Sequence, residues 1–487
     1  MRPTTGLLLV PLWLTACATP NFGPEATIVT PAATVPVPSN WVEPAPDALP
    51  NADWVASFSD AQLNALVAEA VSENKNIGAA SARLDAALAR ETIAGADRKP
   101  TLSLSSRVSR TENVDDFFDD RTTLSTGLNA SWEPDLWGRI RDTITASELE
   151  TEATAADVAG ATLSIAGQVS QAWFDLIEAR LLTELSLRDV ETQERALLLT
   201  QRRFEGGVTG SSDVRLARSS VASAKALQAL REQSKSAITR RLEVLLARYP
   251  SEEIQAARDL PDLPPLTGAS VPAEVLARRP DLLALEARLA GQGIQIDQAR
   301  KALLPRLTLN GDTTLNGTGI SSFFDLDALA ATLVANLTAP IFQGGRIKAN
   351  IEQQKALLRA QLETYAGAVL TAYLEVENAL DAESRLSERE AALRVSLDES
   401  LKAEERLELR YTEGLATILQ LLDAQSRRLS AEGQLIGARK ERLANRVRLH
   451  VALGGGEYGE LPATPVDTAS NITYSPLTQI FKSDQDS

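Results

Sequence analysis

The sequence predicts a mainly α protein with a small β part, written as an internal duplication. Three observations carry this. The phrase "EPDLWGRI" at 133–140 returns as "PIFQGGRI" at 340–347. After each copy comes a long proline-free run rich in Ala, Leu, Glu and Arg with helical spacing, and before each come short stretches that alternate apolar and polar residues.

The start, MRPTTGLLLVPLWLTAC, reads as an export signal. Arg2 supplies the positive charge, and Gly6 to Leu14 form an apolar run too short to span a bilayer. Leu14-Thr15-Ala16-Cys17 matches the lipobox of bacterial lipoproteins, so residues 1–16 are expected to be removed and Cys17 to carry the lipid. An ordinary signal peptide with a chance Cys is the alternative, but Cys17 is the sole Cys of the chain. Ala18 follows where Asp would signal inner-membrane retention in enteric bacteria, which implies the outer membrane. Residues 17–55 then form a tether. Eight prolines between 18 and 50 forbid a helix or a central strand there.

Copy one is expected over 56–260. Its first helix opens at Ser59, with Gln62 in capping-box spacing, and ends before Pro100. A hairpin follows at about 101–133. Leu102, Leu104 and Val108 alternate with Ser103, Ser105, Arg107 and Ser109, and Leu124, Leu128, Ala130 and Trp132 alternate with polar partners. Period two with one apolar face means a half-buried sheet, and ten residues suffice for a tilted transmembrane strand. A soluble antiparallel hairpin fits the period equally. Gly138 permits the tight passage from strand to helix. The long helix runs from about Arg139 to Phe204, about 100 Å at 1.5 Å per residue. Gly206-Gly207 breaks it, and Ser211-Ser212-Asp213 offer N-caps for the return to about Arg248.

Copy two is expected over 261–456, after the junction "LPDLPPL". A helix from about Pro272 to Leu304 precedes a hairpin at about 306–342, in which Leu333, Ala335, Leu337 and Ile341 alternate with polar residues. Gly344 and Gly345 make the second strand-to-helix junction. A long helix from Ile347 to about Thr412 turns at Glu413-Gly414 and returns to about Leu453. "NIGAASARLDAAL" aligns with "DLLALEARLAGQG" at an offset of 205, whereas the GRI phrases and the turns "RRFEGG" and "RYTEGL" align at 207. One two-residue insertion, between 104 and 129 of copy one or their counterparts, explains the change. The hairpin loops both carry a Phe pair, Phe117-Phe118 and Phe323-Phe324. Trp132, Trp137 and Phe342 at the opposite end suit an interfacial belt or simple packing. The polar tail 457–487 is unassigned.

Bulk composition narrows the function. Hydrophobic residues make up 44% and aromatics 5%, which suits helices packed on small side chains. A phosphate-binding surface needs clustered Lys and Arg, and with a net charge of −16 no nucleic-acid partner is expected. One His and one Cys cannot build a Cys/His zinc site or a Ser-His-Asp triad. His450, late in a helix, reads as a packed residue. "GGVTGSS" lacks the Lys of a phosphate-binding loop. No catalytic residue, metal site or cofactor is expected.

The ordered set "WVASFSDAQLNALV", "SWEPDLWGRI", "RRFEGG", "ARRPDLLALEARL", "LPRLTL", "APIFQGGRIKANI", "EVENAL", "RYTEGL" and "LLDAQSRRLSAE" is similar to the TolC-type outer-membrane efflux proteins, in particular the lipoprotein branch that serves multidrug pumps. The resemblance implies a homotrimer in which each chain gives four strands to a twelve-stranded barrel continuous with a long periplasmic α-helical barrel. Four strands cannot close a barrel alone, and membranes admit no open sheet edge, so spanning strands require oligomerisation. The resemblance further implies an outer-membrane location, a lipid anchor, a periplasmic adaptor protein and an inner-membrane pump, driven by protons.

By the same resemblance the two helix turns form the closed periplasmic end and meet the adaptor, at Gly207, Val208, Thr209, Gly414, Leu415 and Ala416. The family's ring of aspartates falls on Asp213 and Asp423, while a further aspartate of some members is Gln420 here. Asp213 could equally serve as an N-cap and Asp423 as a solvated surface acid. Arg203, Arg410 and Tyr411 flank the turns, and the arginines are expected to pair with neighbouring acids. The implied function is a passive exit duct for drugs or other small toxic compounds. Type I secretion or metal efflux are alternatives within that class, and a lipid-anchored periplasmic coiled-coil spacer or adhesin is the alternative outside it.

Overall fold

The computed structural model describes residues 38–43, 53–112, 121–266, 272–317 and 329–461. Cys17, both Phe pairs of the hairpin loops and the tail beyond Leu461 lie outside the described residues. The described chain is mostly helical with one four-stranded antiparallel sheet. In order it runs α1 (Ala61–Glu73), α2 (Lys75–Ala96), β1 (Thr101–Thr111), β2 (Arg121–Trp132), α3 (Arg139–Glu205), α4 (Ser211–Leu245), α5 (Pro272–Leu276), α6 (Pro280–Lys301), β3 (Arg306–Gly317), β4 (Leu329–Thr338), α7 (Arg346–Thr412) and α8 (Ile418–Ala452).

The duplication is exact in the long elements. The helices α3 and α7 each have 67 residues, and α4 and α8 each have 35. Strand β3 begins 205 residues after β1 (Thr101, Arg306), whereas α7 begins 207 after α3 (Arg139, Arg346). The register shows where the change falls. Thr101 faces Ser131 in the first hairpin and Arg306 faces Thr338 in the second, so β4 already stands 207 residues after β2. The insertion therefore lies between the strands of the second hairpin.

Several expected boundaries move. Ser59 does not cap the first helix, because its backbone is left-handed (φ 54°). Asp60 caps it instead: Oδ1 accepts from the Gln62 and Leu63 amides at 3.0 Å each, and Oδ2 accepts from the Trp173 indole at 2.8 Å. The cap thus also ties α1 to α3. That helix is not continuous to Pro100 but breaks at Asn74. The Asn74 side chain accepts from Asn76 N at 2.8 Å to start α2 and donates to Leu245 O at 2.7 Å. The expected helix from Pro272 likewise breaks before Pro280, which supplies the first residue of α6. Ser211–Asp213 are not caps: α4 begins at Ser211, and Gly210 stands at its N-cap without a side-chain bond. Ile341 lies beyond the end of β4.

The main core surrounds the middle of α3 and the C-terminal ends of α4 and α8. Trp54, Phe58, Leu63, Trp173, Phe174, Leu242, Leu246, Leu443 and Val447 gather segment 53–58 with α1, α3, α4 and α8. In the second copy Leu282, Tyr365, Val369, Ala372 and Tyr373 form a thinner cluster. Trp41 of the tether packs edge-on against Tyr373 at 6.0 Å, and Val42 N donates to Glu377 Oε1 at 2.9 Å. The equivalent helices are buried very differently: α3 has 29 buried residues and α7 has 10. Helix α3 is flanked by α2, α4, α6 and α8, and α7 by α6 and α8.

His450 is 1% exposed and stacks on Trp54 (5.5 Å, 16° between planes), with neither ring nitrogen hydrogen-bonded. Burial, then the nearby Arg446 charge, pulls its pKa from 6.5 down to about 4. The folded state therefore resists protonation that the unfolded chain accepts. The resulting loss of stability begins as pH falls below about 6.5 and levels off below about 4. Denaturant titrations of His450→Gln and the parent chain should diverge on acidification, the variant retaining about 2–3 kcal/mol more stability at pH 4.5 relative to pH 7.5. Parallel curves would show that the imidazole is not the titrating group.

Candidate functional site

The site begins with the sheet register. Strand order is β1-β2-β3-β4, all antiparallel. Facing residues share a side of the sheet, so the register sorts every strand position. One side carries Leu102, Leu104 and Val108 of β1, Leu124, Leu128, Ala130 and Trp132 of β2, Leu307, Leu309 and Leu315 of β3, and Leu329, Ala331, Leu333, Ala335 and Leu337 of β4, with Ser106, Thr126 and Thr313 among them. The other side carries Ser103, Ser105, Arg107 and Ser109, then Thr123, Ser125, Asn129 and Ser131, then Thr308, Asn310, Asp312 and Thr314, then Thr332, Asn336 and Thr338 together with Ala330 and Val334. Polar residues bond one another there: Ser131 Oγ donates to Asn310 Oδ1, and Asn129 Nδ2 to Ser105 Oγ, each at 2.9 Å.

The apolar side has nothing packed on it. Leu102 is 71% exposed and Leu333 is 81% exposed. In water such a surface would drive aggregation; hydrocarbon removes that cost. The soluble-hairpin alternative requires one side to be covered by protein, and no described element covers it. Among the described residues, no helix is long and apolar enough to cross a membrane.

The sheet passes into the helices through two rigid junctions. Gly138 (φ 75°), Gly344 (φ 57°) and Gly345 (φ 84°) hold left-handed backbone, where a Cβ would be strained. At the first junction Asp135 accepts from the Ile140 and Arg141 amides at 3.1 and 2.8 Å and so caps α3. Lys301 Nζ pairs with Asp142 at 2.7 Å and donates to Gly138 O at 3.3 Å. Trp132 donates its indole N–H to Arg98 O and Trp137 to Pro305 O, so both tryptophans also serve as packing residues.

At the far end each helix pair closes in the same turn. The Val208 amide donates to Arg203 O at 2.9 Å and Leu415 to Arg410 O at 2.8 Å, across left-handed Gly207 and Gly414. Val208 and Leu415 project into solvent, each 64% exposed. Thr209 donates its hydroxyl to Asp213. Thr417 and Gln420 form a reciprocal capping box on α8, which occupies Gln420 locally. Ala416 packs beside Tyr411, Ile418 and Leu421.

The expected arginine–acid pairs are absent among the described residues. Arg203 instead donates to Tyr411 O and lies over the Tyr411 ring, 4.7 Å from its centre. Arg410 reaches Leu415 O at 3.4 Å. The acid that does pair is Asp423, with Arg427 at 2.8 Å. No hydrogen bond or ion pair joins Asp213 to Asp423 within the described protomer. A further contact was not legible in the sequence: Tyr411, 2% exposed, shares a 2.9 Å hydrogen bond between its hydroxyl and that of Thr200. Tyr411 and Arg203 therefore latch the two helix pairs together one turn above their tips. Nothing in "RYTEGL" announces a partner 211 residues away.

Comparison with known families decides the identity. The model for "Outer membrane efflux protein" matches twice, over residues 66–248 and 271–455, once in each copy. The chain belongs to the outer membrane efflux protein family. This outer membrane efflux protein is 30% identical over 471 residues to the pyoverdine export outer membrane protein OpmQ of Pseudomonas putida, covering 94% of this chain and 98% of the relative. Among solved structures it resembles the outer-membrane channel OprN (TM-score 0.79, 28% identity, 86% of this chain and 97% of that one). It also resembles the open state of the MtrE outer membrane channel of Neisseria gonorrhoeae (TM-score 0.77, 27% identity, 88% and 98%). As an efflux protein of the outer membrane it has a use for a sheet with one lipid-compatible side and one wet side.

Two neighbouring substitutions in β2 test this sorting. Leu128→Arg places a charge on the apolar side at a cost of about 2–4 kcal/mol near the bilayer midplane, whereas Asn129→Arg places it on the wet side. Outer-membrane fractions should lose the Leu128→Arg protein and retain Asn129→Arg. Equal recovery of the two would refute the assignment of sides.

Proposed function

We propose that three copies of this chain form a twelve-stranded barrel continued by a tube of long helices, and that the tube is a passive exit duct for small toxic compounds. The single observation that carries the reading is the sheet itself, with leucines on one side of all four strands, mainly polar residues on the other, and both edges open. Unpaired strand edges cannot face hydrocarbon, so β1 and β4 need strands from sister copies. Twelve strands lie within the known range of such barrels.

In this reading the wet side lines the lumen, and the tips at Gly207–Thr209 and Gly414–Ala416 point into the periplasm towards an adaptor protein and an inner-membrane pump. The exposed Val208 and Leu415 supply apolar contact for the adaptor. Asp213 and Asp423, tripled around the axis, repel one another and disfavour anions. Tyr411 and Arg203 act as a latch on the closed end. Cys17 carries the lipid, and Trp41 docks on Tyr373. The pump supplies the energy and most of the choice of substrate.

The duct and a lipid-anchored spacer part company in extraction. Cys17→Ala protein should still need detergent to leave the membrane and should sediment as a trimer once extracted. Release by salt or carbonate as a monomer would end the duct reading. The latch gives a second readout. Removing it with Tyr411→Phe plus Arg203→Ala takes away about 1–3 kcal/mol of local contact. Single channels in planar bilayers should then open more often or conduct more, and unchanged currents would remove the latch role.

A further inference from the structure

The duplication fixes more than the number of strands, because it specifies the residue-by-residue pairing of the seam between subunits. The described sheet contains one contact between the two copies, the β2–β3 ladder. In a closed barrel built from repeated units, β4 must meet β1 of the next subunit as β2 meets β3. Strand β3 stands 205 residues after β1, and β4 stands 207 after β2. Carrying the observed ladder across by those offsets yields the seam without adjustable choice.

We infer that β4 pairs antiparallel with β1 of the partner subunit in a single register, with Asn336 facing Arg107 of the partner subunit. The observed pair Asn129–Asp312 generates this contact. In the same way Gly127–Thr314 generates Val334 facing Ser109 of the partner subunit, and Ser131–Asn310 generates Thr338 facing Ser105 of the partner subunit. The inference rests on the trimeric duct proposed above and deepens it.

The side of each residue is carried over with the ladder. A one-residue slip turns every side chain to the opposite side. The register instead sets Ala335 against Val108 of the partner subunit and Leu337 against Ser106 of the partner subunit, which joins the apolar side of β4 to the apolar side of β1. Helix burial is the independent observation, and it supports the contact between subunits that the seam requires. Helix α3 packs on α6 and α8 of the other copy, and the equivalent neighbours of α7 are α2 and α4 of the next subunit. The low burial of α7 leaves a face free for that contact.

The register also gives the lumen a defined collar. Arg107 and Asp312 occupy the same repeat position, 205 residues apart, with opposite charge. Each is the seventh residue of its strand, and among the described residues neither has an ion-pair partner. Repetition around the axis sets three Arg107 and three Asp312 alternately at one level of the barrel. The collar carries no net charge, so charge selection falls to other levels of the duct.

Oxidative cross-linking reads the register directly. Facing residues in an antiparallel ladder have Cα atoms about 4.5–5.5 Å apart and diagonal ones about 7–8 Å, while a disulfide spans about 4.4–6.8 Å. Chains carrying Ser109→Cys with Val334→Cys, or Ser105→Cys with Thr338→Cys, should oxidise in membranes to covalent trimers on non-reducing gels. The shifted pairs Ser109→Cys with Asn336→Cys, and Ser105→Cys with Asn336→Cys, should give about tenfold less product. Single variants set the background from Cys17. Efficient cross-linking of the shifted pairs, or of none while the protein remains trimeric, would overturn the register and leave the duct standing. Protein that is monomeric and cross-links in no pair would overturn both.

Discussion

Backbone hydrogen bonds at the two edges of the sheet govern how this chain can be built. In water an unpaired strand edge is satisfied by solvent. In hydrocarbon each unmade bond costs several kcal/mol, and no loop or side chain can repair a whole edge. A chain whose described residues form four strands, with leucines along one side of each, has placed two such edges, β1 and β4, at the limits of its sheet. Assembly is then part of the fold and not an addition to it. The same requirement explains why the second copy looks half-finished when considered alone. Its long helix has the length of its counterpart but about a third of the buried residues.

The joins between barrel and tube follow from a different physical demand. A strand that turns directly into a helix needs backbone that L side chains resist, and then a partner for the first helical amides. Glycine meets the first need at both junctions. Only copy one meets the second with a side chain, through Asp135, and it adds the Lys301–Asp142 pair. The two copies thus share geometry without sharing every contact. The same holds at the tips. Thr417 and Gln420 cap α8 reciprocally, whereas α4 begins from Gly210 with no side-chain cap. Duplicated sequence keeps the turns and diversifies the groups around them.

The tip shows how far local pattern reaches. Glycines at 207 and 414 announce turns because few other residues hold positive φ there. The arginines before them invited pairing with acids, and the structure gives them other partners. Arg203 is drawn to the carbonyl and ring of Tyr411, because packing α3 against α8 and the end of α7 brings that aromatic face within reach. Asp423 takes its partner from one turn along its own helix, and Asp213 takes a hydroxyl four residues back. Charge alone, with no geometry attached, could not choose among these.

Periodicity and repetition are written in the order of the residues. Helical spacing without proline set the long rods to within a residue or two. Period two set the strands, and self-similarity set the copies and even the size of the insertion. These are local or translational properties, and the chain displays them in order. Tertiary structure alone set β2 beside β3 and so joined the two hairpins into one sheet. It also decided that Asp60 rather than Ser59 begins the first helix, because the same carboxylate must also meet Trp173. It brought Thr200 to Tyr411 and Trp54 to His450 across hundreds of residues. Such contacts depend on how far each element rotates about its own axis when packed, and no one-dimensional pattern encodes that angle.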